Sequence, residues 1–106
     1  MPPAVRAGLG RMWIMQGIAM LDEFVGQKVV VDLRSPFVCL GVLHRFDDLH
    51  LDLRHADLHD LRDTDTNREL YVAESVATGI KRNRKRVLLA RDEIVAVSRL
   101  DDVVYD

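Results

Sequence analysis

The sequence contains a single cysteine, Cys39, so its 106 residues cannot form a disulfide within one chain. Cys39 lies in the apolar stretch 37–40 and is expected to be a small buried side chain. A lone unpaired thiol favours a cytoplasmic protein. The sequence also lacks any apolar run long enough to cross a bilayer as a helix, and we therefore expect no membrane partner.

A large charge of either sign is absent as well. Fifteen Lys and Arg residues against 17 Asp and Glu residues give a formal net charge of −2 at pH 7. Any binding of nucleic acid must therefore depend on a local basic patch rather than on the whole surface. The sequence has no P-loop, glycine-rich dinucleotide turn or nucleophile elbow, so we expect neither an enzyme nor a cofactor.

The composition is that of one ordinary globular domain, with 48% hydrophobic and 30% charged residues. Two prolines and two glycines disfavour a helix in residues 1–10, which we interpret as an irregular extension before a single domain at residues 11–106. Within residues 11–25 apolar side chains recur every three or four positions. This spacing predicts an amphipathic helix that ends near Gly26.

Short stretches with β-strand character follow this helix. Gly41, in the middle of the longest stretch, predicts the bulge or sharp bend that a small barrel needs, and Asp47 with Asp48 predicts a turn. The predicted strands are residues 28–33, 37–46, 49–54, 87–89 and 94–100. The fold class is therefore mainly β: an N-terminal helix followed by a strongly bent, five-stranded antiparallel barrel of the SH3-like or OB-like kind.

The long segment before the fourth predicted strand is less regular. Residues 57–70 are polar and mostly acidic and predict a loop. In residues 69–80, Tyr71 and Gly79 favour an irregular strand over a firm helix. This segment has two possible positions: it could extend the fourth strand, or it could lie on one face of the ring.

Two segments resemble the paired sequence motifs of Sm and Sm-like proteins. In residues 21–58 the positions that follow the first motif are Gly26, Val29, Val31, Leu33, Gly41, Leu43, Phe46, Asp47, Leu51 and Leu53. In residues 85–99 the stretch VLLARDEIVAVS, from Val87 to Ser98, resembles the second motif. The resemblance implies the Sm-like fold, with an N-terminal helix over a bent five-stranded barrel.

The resemblance also implies a homo-oligomeric ring, in which the fourth and fifth strands pair with neighbouring copies around a central pore. The residues support this independently, because a partly open barrel leaves two edge strands, and apolar edges favour pairing between chains. The expected interface residues are Val87, Leu88, Leu89, Ile94, Val95 and Val97.

Single-stranded RNA is the ligand that the resemblance implies, with bases held at the pore by an Asp, an Asn and an Arg. Asp47 matches the Asp. His50 occupies the place of the Asn because the loop is one residue shorter. Arg91 stands one position after the expected Arg, where this sequence has Ala90.

Structural roles are the alternative for each of these three residues. Asp47 is suited to cap the backbone amides of its turn, and His50 to be an exposed strand residue. Arg91 has Asp92, Glu93 or a neighbouring subunit as candidate ion-pair partners.

A basic run is the second candidate for RNA binding. It comprises Lys81, Arg82, Arg84, Lys85 and Arg86. Strand alternation predicts that its three arginines share one face and its two lysines the other. Repeated around a ring, the run would bind phosphates in a salt-sensitive way. The alternative is that it neutralises the acidic residues Asp57, Asp60, Asp63, Asp65 and Glu69.

Two rival functions remain open. One is a metal-dependent activity, suggested by four histidines that lie among carboxylates: His44, His50, His55 and His59. A tetrahedral site needs three or four convergent ligands, and alternation separates His50 from His55 and His59, so no metal site is predicted. The other rival is a ring that serves as a protein-binding scaffold, which the departures at His50 and Arg91 favour.

Overall fold

The computed structural model describes residues 20–63 and 65–104. In this part of the chain five antiparallel strands form one sheet: β1 (Lys28–Leu33), β2 (Phe37–Phe46), β3 (His50–Asp60), β4 (Arg84–Ala90) and β5 (Ile94–Arg99). The strand order is β4-β3-β2-β1-β5, so β4 and β5 are the edges of the sheet. The five-stranded antiparallel prediction is confirmed, and β1 and β2 have the predicted bounds.

The chain enters the sheet from a short helical segment. Residues 20–22 are helical and lead through a turn to Gly26, whose φ of 82° is the left-handed conformation predicted for it. The Gly26 amide donates a 2.7 Å hydrogen bond to the carbonyl oxygen of Leu43, which fixes this turn against β2. Most of the predicted helix at 11–25 and the whole extension at 1–10 lie outside the described residues.

One side of the sheet encloses the main core. Its buried members are Val29, Val31, Leu33, Cys39, Leu43, Leu51, Leu53, Ala56 and Leu89. The three β1 residues share this side because successive side chains of a strand point to opposite faces. Cys39 is fully buried, as expected, and burial raises the pKa of its thiol to about 12, so the thiol stays protonated at neutral pH.

Gly41 bends β2 across β3. The register shifts at this point, because Leu40 faces Asp57 whereas Val42 faces Arg54. A Cβ atom at position 41 would lie 3.1 Å from the Cβ of Ala56 and 3.1 Å from the carbonyl oxygen of Arg54. A side chain at position 41 would therefore require its neighbours on β3 to shift, which glycine avoids, and the predicted bend is confirmed.

His55 changes the phase of β3. Its φ of 51° is left-handed, which is unusual for a residue with a side chain. Leu53 before it and Ala56 after it both belong to the main core, although residues three apart on a regular strand point to opposite sides. The irregularity at His55 therefore lets both halves of β3 contribute to one core.

A helix interrupts the segment between β3 and β4. This helix, Arg68–Thr78, is called the loop helix below. Asn67 caps its first turn, accepting a 2.8 Å hydrogen bond from the Leu70 amide, and Gly79 ends it with a φ of 94°. The interpretation of this segment as an irregular strand was wrong, because these two caps and a buried face outweigh the weak helix propensities of Tyr and Val.

The loop helix builds a second core on the other side of the sheet. Tyr71 and Val72 pack there with Val30, Val38, Leu40 and Leu100. The His59 ring stacks on Tyr71 with 4.0 Å between ring centroids. The strand β3 continues to Asp60 beside these contacts. The prediction of a loop over residues 57–70 was therefore wrong for residues 57–60. As a result β1 and β2 are covered on both sides.

The part of the chain that the structure describes contains no helix long and apolar enough to span a bilayer.

Candidate nucleic-acid interface

Two turns meet at one end of the sheet. Asp47 begins the turn between β2 and β3, and the 3-10 turn Arg91–Glu93 joins β4 to β5. The Arg91 guanidinium donates a 2.7 Å hydrogen bond to the carbonyl oxygen of Asp47, and its backbone amide donates a 2.8 Å bond to the carbonyl oxygen of Leu49. His50 pairs with Ala90 across β3 and β4. The structure therefore brings together the three residues singled out from the sequence for a base pocket.

Asp47 organises this turn with its carboxylate. Its Oδ1 atom accepts hydrogen bonds from the amides of Leu49 at 2.9 Å and His50 at 2.7 Å. These two bonds lower the pKa of Asp47, and the charges of His50 and Arg91 lower it further. The carboxylate is exposed and ionised at neutral pH. The turn-capping role considered as an alternative is therefore present.

The His50 and Arg91 side chains have different partners in the described chain. The His50 Nδ1 atom is 3.7 Å from the Asp47 carboxylate, and 45% of the His50 side chain is exposed. Among the described residues Arg91 has no carboxylate within 4 Å, so the ion pair with Asp92 or Glu93 that we considered as its alternative role does not form there. Arg91 instead ties the two turns together.

A cleft of about 300 Å³ extends from the turns over the outer surface of the sheet. Its lining residues are Arg45, Phe46, Asp47, His50, Asp52, Arg86 and Leu88. Two of the three predicted pocket residues and one arginine of the basic run thus share a single concave surface.

The rest of the basic run lies at the other end of β4. Because β4 begins at Arg84, the prediction that all three arginines share a strand face is wrong for Arg82, which precedes the strand. The Arg82 guanidinium is 3.5 Å from the Nδ1 atom of His55. A second cleft, of about 290 Å³, is lined by His55, Arg82, Asn83, Arg84 and Lys85, with no acidic residue among them.

The basic run retains most of its positive charge. Lys81 is 3.9 Å from Glu74 of the loop helix, and Arg86 is 3.2 Å from Asp52. None of the five acidic residues considered as its neutralising partners forms an ion pair with it within the described chain. Asp57, for example, accepts a 3.1 Å hydrogen bond from the Asn83 side chain, whereas Asp60 pairs with Arg62 at 2.8 Å.

Sequence reasoning missed a cluster of three arginines around one carboxylate, here called the Asp52 cluster. Asp52 is only 3% exposed and is held by Arg54 at 2.9 Å, by Arg86 at 3.2 Å and by Arg45 at 3.2 Å. Hydrogen bonds from Arg54, then Arg86 and Arg45, hold the pKa of Asp52 far below its ordinary value, although burial acts in the opposite direction. In the sequence Asp52 is only the polar residue between Leu51 and Leu53, in the alternating pattern of a half-buried strand, and nothing there indicates its partners.

The histidines do not converge. No group of three or more His, Cys, Asp or Glu side chains suited to a metal ion occurs in residues 20–63 and 65–104. His55 lies beside Arg82, whereas His59 stacks on Tyr71. The alternative of a metal-dependent activity thus finds no site among these residues.

The predicted interface residues lie on the two edge strands. Leu88 on β4 is 49% exposed and Val95 on β5 is 66% exposed. Val87, Ile94 and Val97 are half-buried and pack against the main core, and Leu89 is a buried member of it. Only the first two therefore present wide apolar surfaces outward.

Comparison with known proteins gives similarity at the level of structure. No family model and no curated protein matches the sequence. A Pyrococcus abyssii Sm protein solved in complex with a uridine heptamer is similar, with a TM-score of 0.54 and 17% identity over 77% of this chain and 94% of that chain. A heptameric archaeal Sm protein has a TM-score of 0.51 and 21% identity over 76% of this chain and 96% of that one.

An Archaeoglobus fulgidus Sm-like protein covers more of the chain. It has a TM-score of 0.51 and 14% identity over 91% of this chain and 99% of its own. Three Sm and Sm-like structures thus match a chain that has five antiparallel strands in one bent sheet and two open edge strands. The fold of this chain is Sm-like, as the resemblance of its two motifs implied.

Proposed function

We propose that this chain is the subunit of a homo-oligomeric ring that binds single-stranded RNA. Asp47, His50 and Arg91 form its base-binding residues, and the basic run from Lys81 to Arg86 contacts phosphates. The observation that carries the proposal is the meeting of the two turns, which brings Arg91 next to Asp47 and His50 of a distant turn at one end of an Sm-like sheet. The other lines on which it rests are a similar protein bound to a uridine heptamer and another that is heptameric.

The edge strands support the ring. Since β4 and β5 have no partner on their outer sides within the described chain, each offers unpaired backbone groups to another copy. The β4 edge of one copy and the β5 edge of the next are different surfaces, so their pairing is head-to-tail and repeats around a closed ring. Leu88 and Val95 would then be covered.

The RNA proposal is tested by fluorescence anisotropy of labelled oligo-U, oligo-A and mixed-sequence RNA at low and moderate salt. We expect base-selective binding that weakens about tenfold in His50→Ala and in Arg91→Ala, because each loses a hydrogen-bonding or stacking group at the bases. Arg62→Ala is the matched control, since Arg62 is an arginine already engaged by Asp60 away from the turns.

The outcomes separate the two RNA surfaces. Binding that ignores base identity and disappears with salt would assign RNA to the basic run alone. No binding at low salt by a protein that light scattering shows to be a ring would overturn the RNA proposal.

The ring is tested by light scattering of Val95→Arg. Burying a new charge at the edge of β5 should convert the ring to smaller species, because an unpaired charge inside an interface is strongly unfavourable. Leu70→Arg is the matched control: Leu70 is 61% exposed against 66% for Val95, but lies on the loop helix. Equal masses for the wild type and both variants would contradict the role assigned to β5.

A protein-binding ring scaffold is the second candidate. It is favoured by one observation, that Asp47 and Arg91 already bond to the backbone of the two turns and so have fewer groups free for a base. In that case the mass of the particle would match a ring, and RNA affinity would be absent at every salt concentration. Cytoplasmic location is part of both proposals.

A further inference from the structure

The geometry points to a phosphate-binding site outside the base pocket, which combines Arg86 of the basic run with Arg45, a residue that belongs to neither. It is the Asp52 cluster, in which Arg45 and Arg86 bind a phosphate group on the wall of the 300 Å³ cleft and Arg54 supports them. The inference rests on the proposed function in one respect: the phosphate is taken to belong to an RNA strand that continues outward from Asp47 and His50.

Asp52 fixes the arginines while leaving their binding edges available. Both Arg45 and Arg86 contact Asp52 through Nε, at 3.2 Å in each case. In the described residues neither donates another hydrogen bond, so the two terminal nitrogens of each guanidinium are open to a ligand. A guanidinium held in place by its Nε atom is prepared for two-point contact with a phosphate, because little side-chain freedom is left to lose on binding.

The cluster contains more positive charge than its own structure needs. Arg54 and Arg86 lie directly opposite each other on β3 and β4, an arrangement that is unfavourable for like charges. Arg45 lies opposite Asp52 on β2. Three guanidiniums around one carboxylate leave a local charge of +2 on a chain whose net charge is −2, and an anion would relieve their repulsion.

Two carboxylates also line the cleft, and each accepts hydrogen bonds from groups within the described chain. Asp52 is 3% exposed and accepts hydrogen bonds from all three arginines. Asp47 directs one oxygen to two backbone amides of its own turn. Neither is placed to take the terminal nitrogens of Arg45 or Arg86, whose side chains are 69% and 45% exposed.

Continuity with the base pocket identifies the source of the phosphate. Arg45 and Arg86 line the same cleft as Asp47 and His50, with Phe46 and Leu88 forming its apolar part. A cleft that offers a polar turn, an apolar wall and fixed guanidiniums suits a strand whose bases lie at one end and whose backbone phosphate lies at the other.

Arg45→Ala is the test, with Arg62→Ala as its control. Arg45 and Arg62 are ion-paired arginines with nearly equal side-chain exposure, 69% and 68%. In anisotropy titrations with oligo-U over a range of salt, we expect Arg45→Ala to weaken binding about tenfold at low salt. The slope of log affinity against log salt should fall by about 0.7, the value for one phosphate contact on a single strand. Arg45→Lys should keep the slope and recover only part of the affinity, because a lysine makes no two-point contact.

Each outcome decides the inference. An Arg45→Ala protein with the wild-type affinity and salt slope would overturn it, whatever the base pocket does. Should the wild type bind no RNA, the proposed function fails separately, and the cluster is tested with inorganic phosphate by following the arginine Nε–H signals in NMR. Shifts of the Arg45 and Arg86 signals without a shift of Arg62 would then support a phosphate site for a small ligand, and unchanged signals would overturn it.

Discussion

The two halves of β3 each bury one aspartate, and the two aspartates behave in opposite ways. Asp52 and Asp57 are both 3% exposed. The pKa of Asp52 lies far below its usual value because Arg54, Arg86 and Arg45 donate to its carboxylate. The pKa of Asp57 is raised because burial disfavours its charged form. One of its oxygens accepts from Asn83, and the other has no hydrogen-bond partner among the described residues.

Partners rather than burial therefore decide which carboxylate stabilises the fold. Several charge-assisted hydrogen bonds favour the ionised form of a buried carboxylate, whereas burial with a single amide donor disfavours that form. The first half of β3 contributes His50 and Asp52 to a ligand-sized cleft, whereas His59 in the second half stacks on Tyr71 of the loop helix. The charge to which we assign binding is thus located at one end of a strand whose other end is suited to packing.

Removing the carboxylate of Asp52 should have the largest effect. Asp52→Asn places an amide group against three guanidiniums, and we expect a loss of about 3 kcal/mol in the free energy of unfolding at pH 7. Since the folded pKa is lowered, the contribution of Asp52 is present above the unfolded value near 4 and is lost as the pH falls further. Urea unfolding at pH 7 and pH 3 should show a difference between wild type and variant that narrows at pH 3.

Asp102→Asn is the control for this experiment. Asp102 also accepts from an arginine, Arg99, but its side chain is 58% exposed. Exposed ion pairs contribute little, so this variant should unfold almost as the wild type does. If both variants lost the same free energy of unfolding, burial of an arginine-bound carboxylate would not increase its contribution to stability.

The opposite change is expected at Asp57. Asp57→Asn removes a buried charge without a sufficient partner and should stabilise the protein by about 1 kcal/mol at pH 7. Because the folded pKa is raised, the wild type gains stability as the pH falls from that pKa toward the unfolded value, and loses it as the pH rises again. Thermal unfolding between pH 4 and pH 8 should show this slope in the wild type and a weaker one in the variant.

Asp60 provides the contrast on the same strand. Its pKa is lowered to about 2, first by the hydrogen bond from Arg62, so Asp60→Asn should destabilise where Asp57→Asn stabilises. A destabilised Asp57→Asn protein at pH 7 would show that the Asn83 hydrogen bond outweighs the burial of the charge.

The smallest effect is expected at the rim of the Asp52 cluster. Arg45→Ala should change the free energy of unfolding by less than about 0.5 kcal/mol, because the side chain is mostly exposed and Arg54 and Arg86 still hold Asp52. Urea unfolding measures this directly. A loss comparable to that of Asp52→Asn would mean that Arg45 is part of the folding core of the cluster rather than a group available to a ligand.

Local patterns were enough to predict the first two strands of the sheet. The β-branched run of β1 and the long run of β2 gave the observed bounds, and Gly41 and Gly26 have the backbone roles expected of them. The turn at Asp47 also follows from local chemistry, since an aspartate accepts hydrogen bonds from amides a few residues on. The resemblance of the two motifs to Sm proteins implied that the fourth and fifth strands are the edges of the sheet, and they occupy those positions.

Features that depend on distant partners were not predicted. The second half of β3 reads as an acidic loop because Asp57 and Asp60 are polar, and only Asn83 and Arg62 make their burial tolerable. The loop helix had signals at Asn67 and Gly79, but its buried face is defined by contacts with β1 and β2. The Asp52 cluster combines residues from three strands, and no spacing within one strand indicates it.

The contact between Gly41 and Ala56 has a consequence for comparing related sequences. A Cβ at position 41 would lie 3.1 Å from the Cβ of Ala56, so a side chain at position 41 would require Ala56 to shift. Changes at the two sites should therefore be coupled in any homologue that keeps this bend, whether or not that homologue binds RNA. Invariance at these two positions would indicate that the shape of the barrel is kept, whereas variation at Arg45, His50 and Arg91 would indicate a change of ligand.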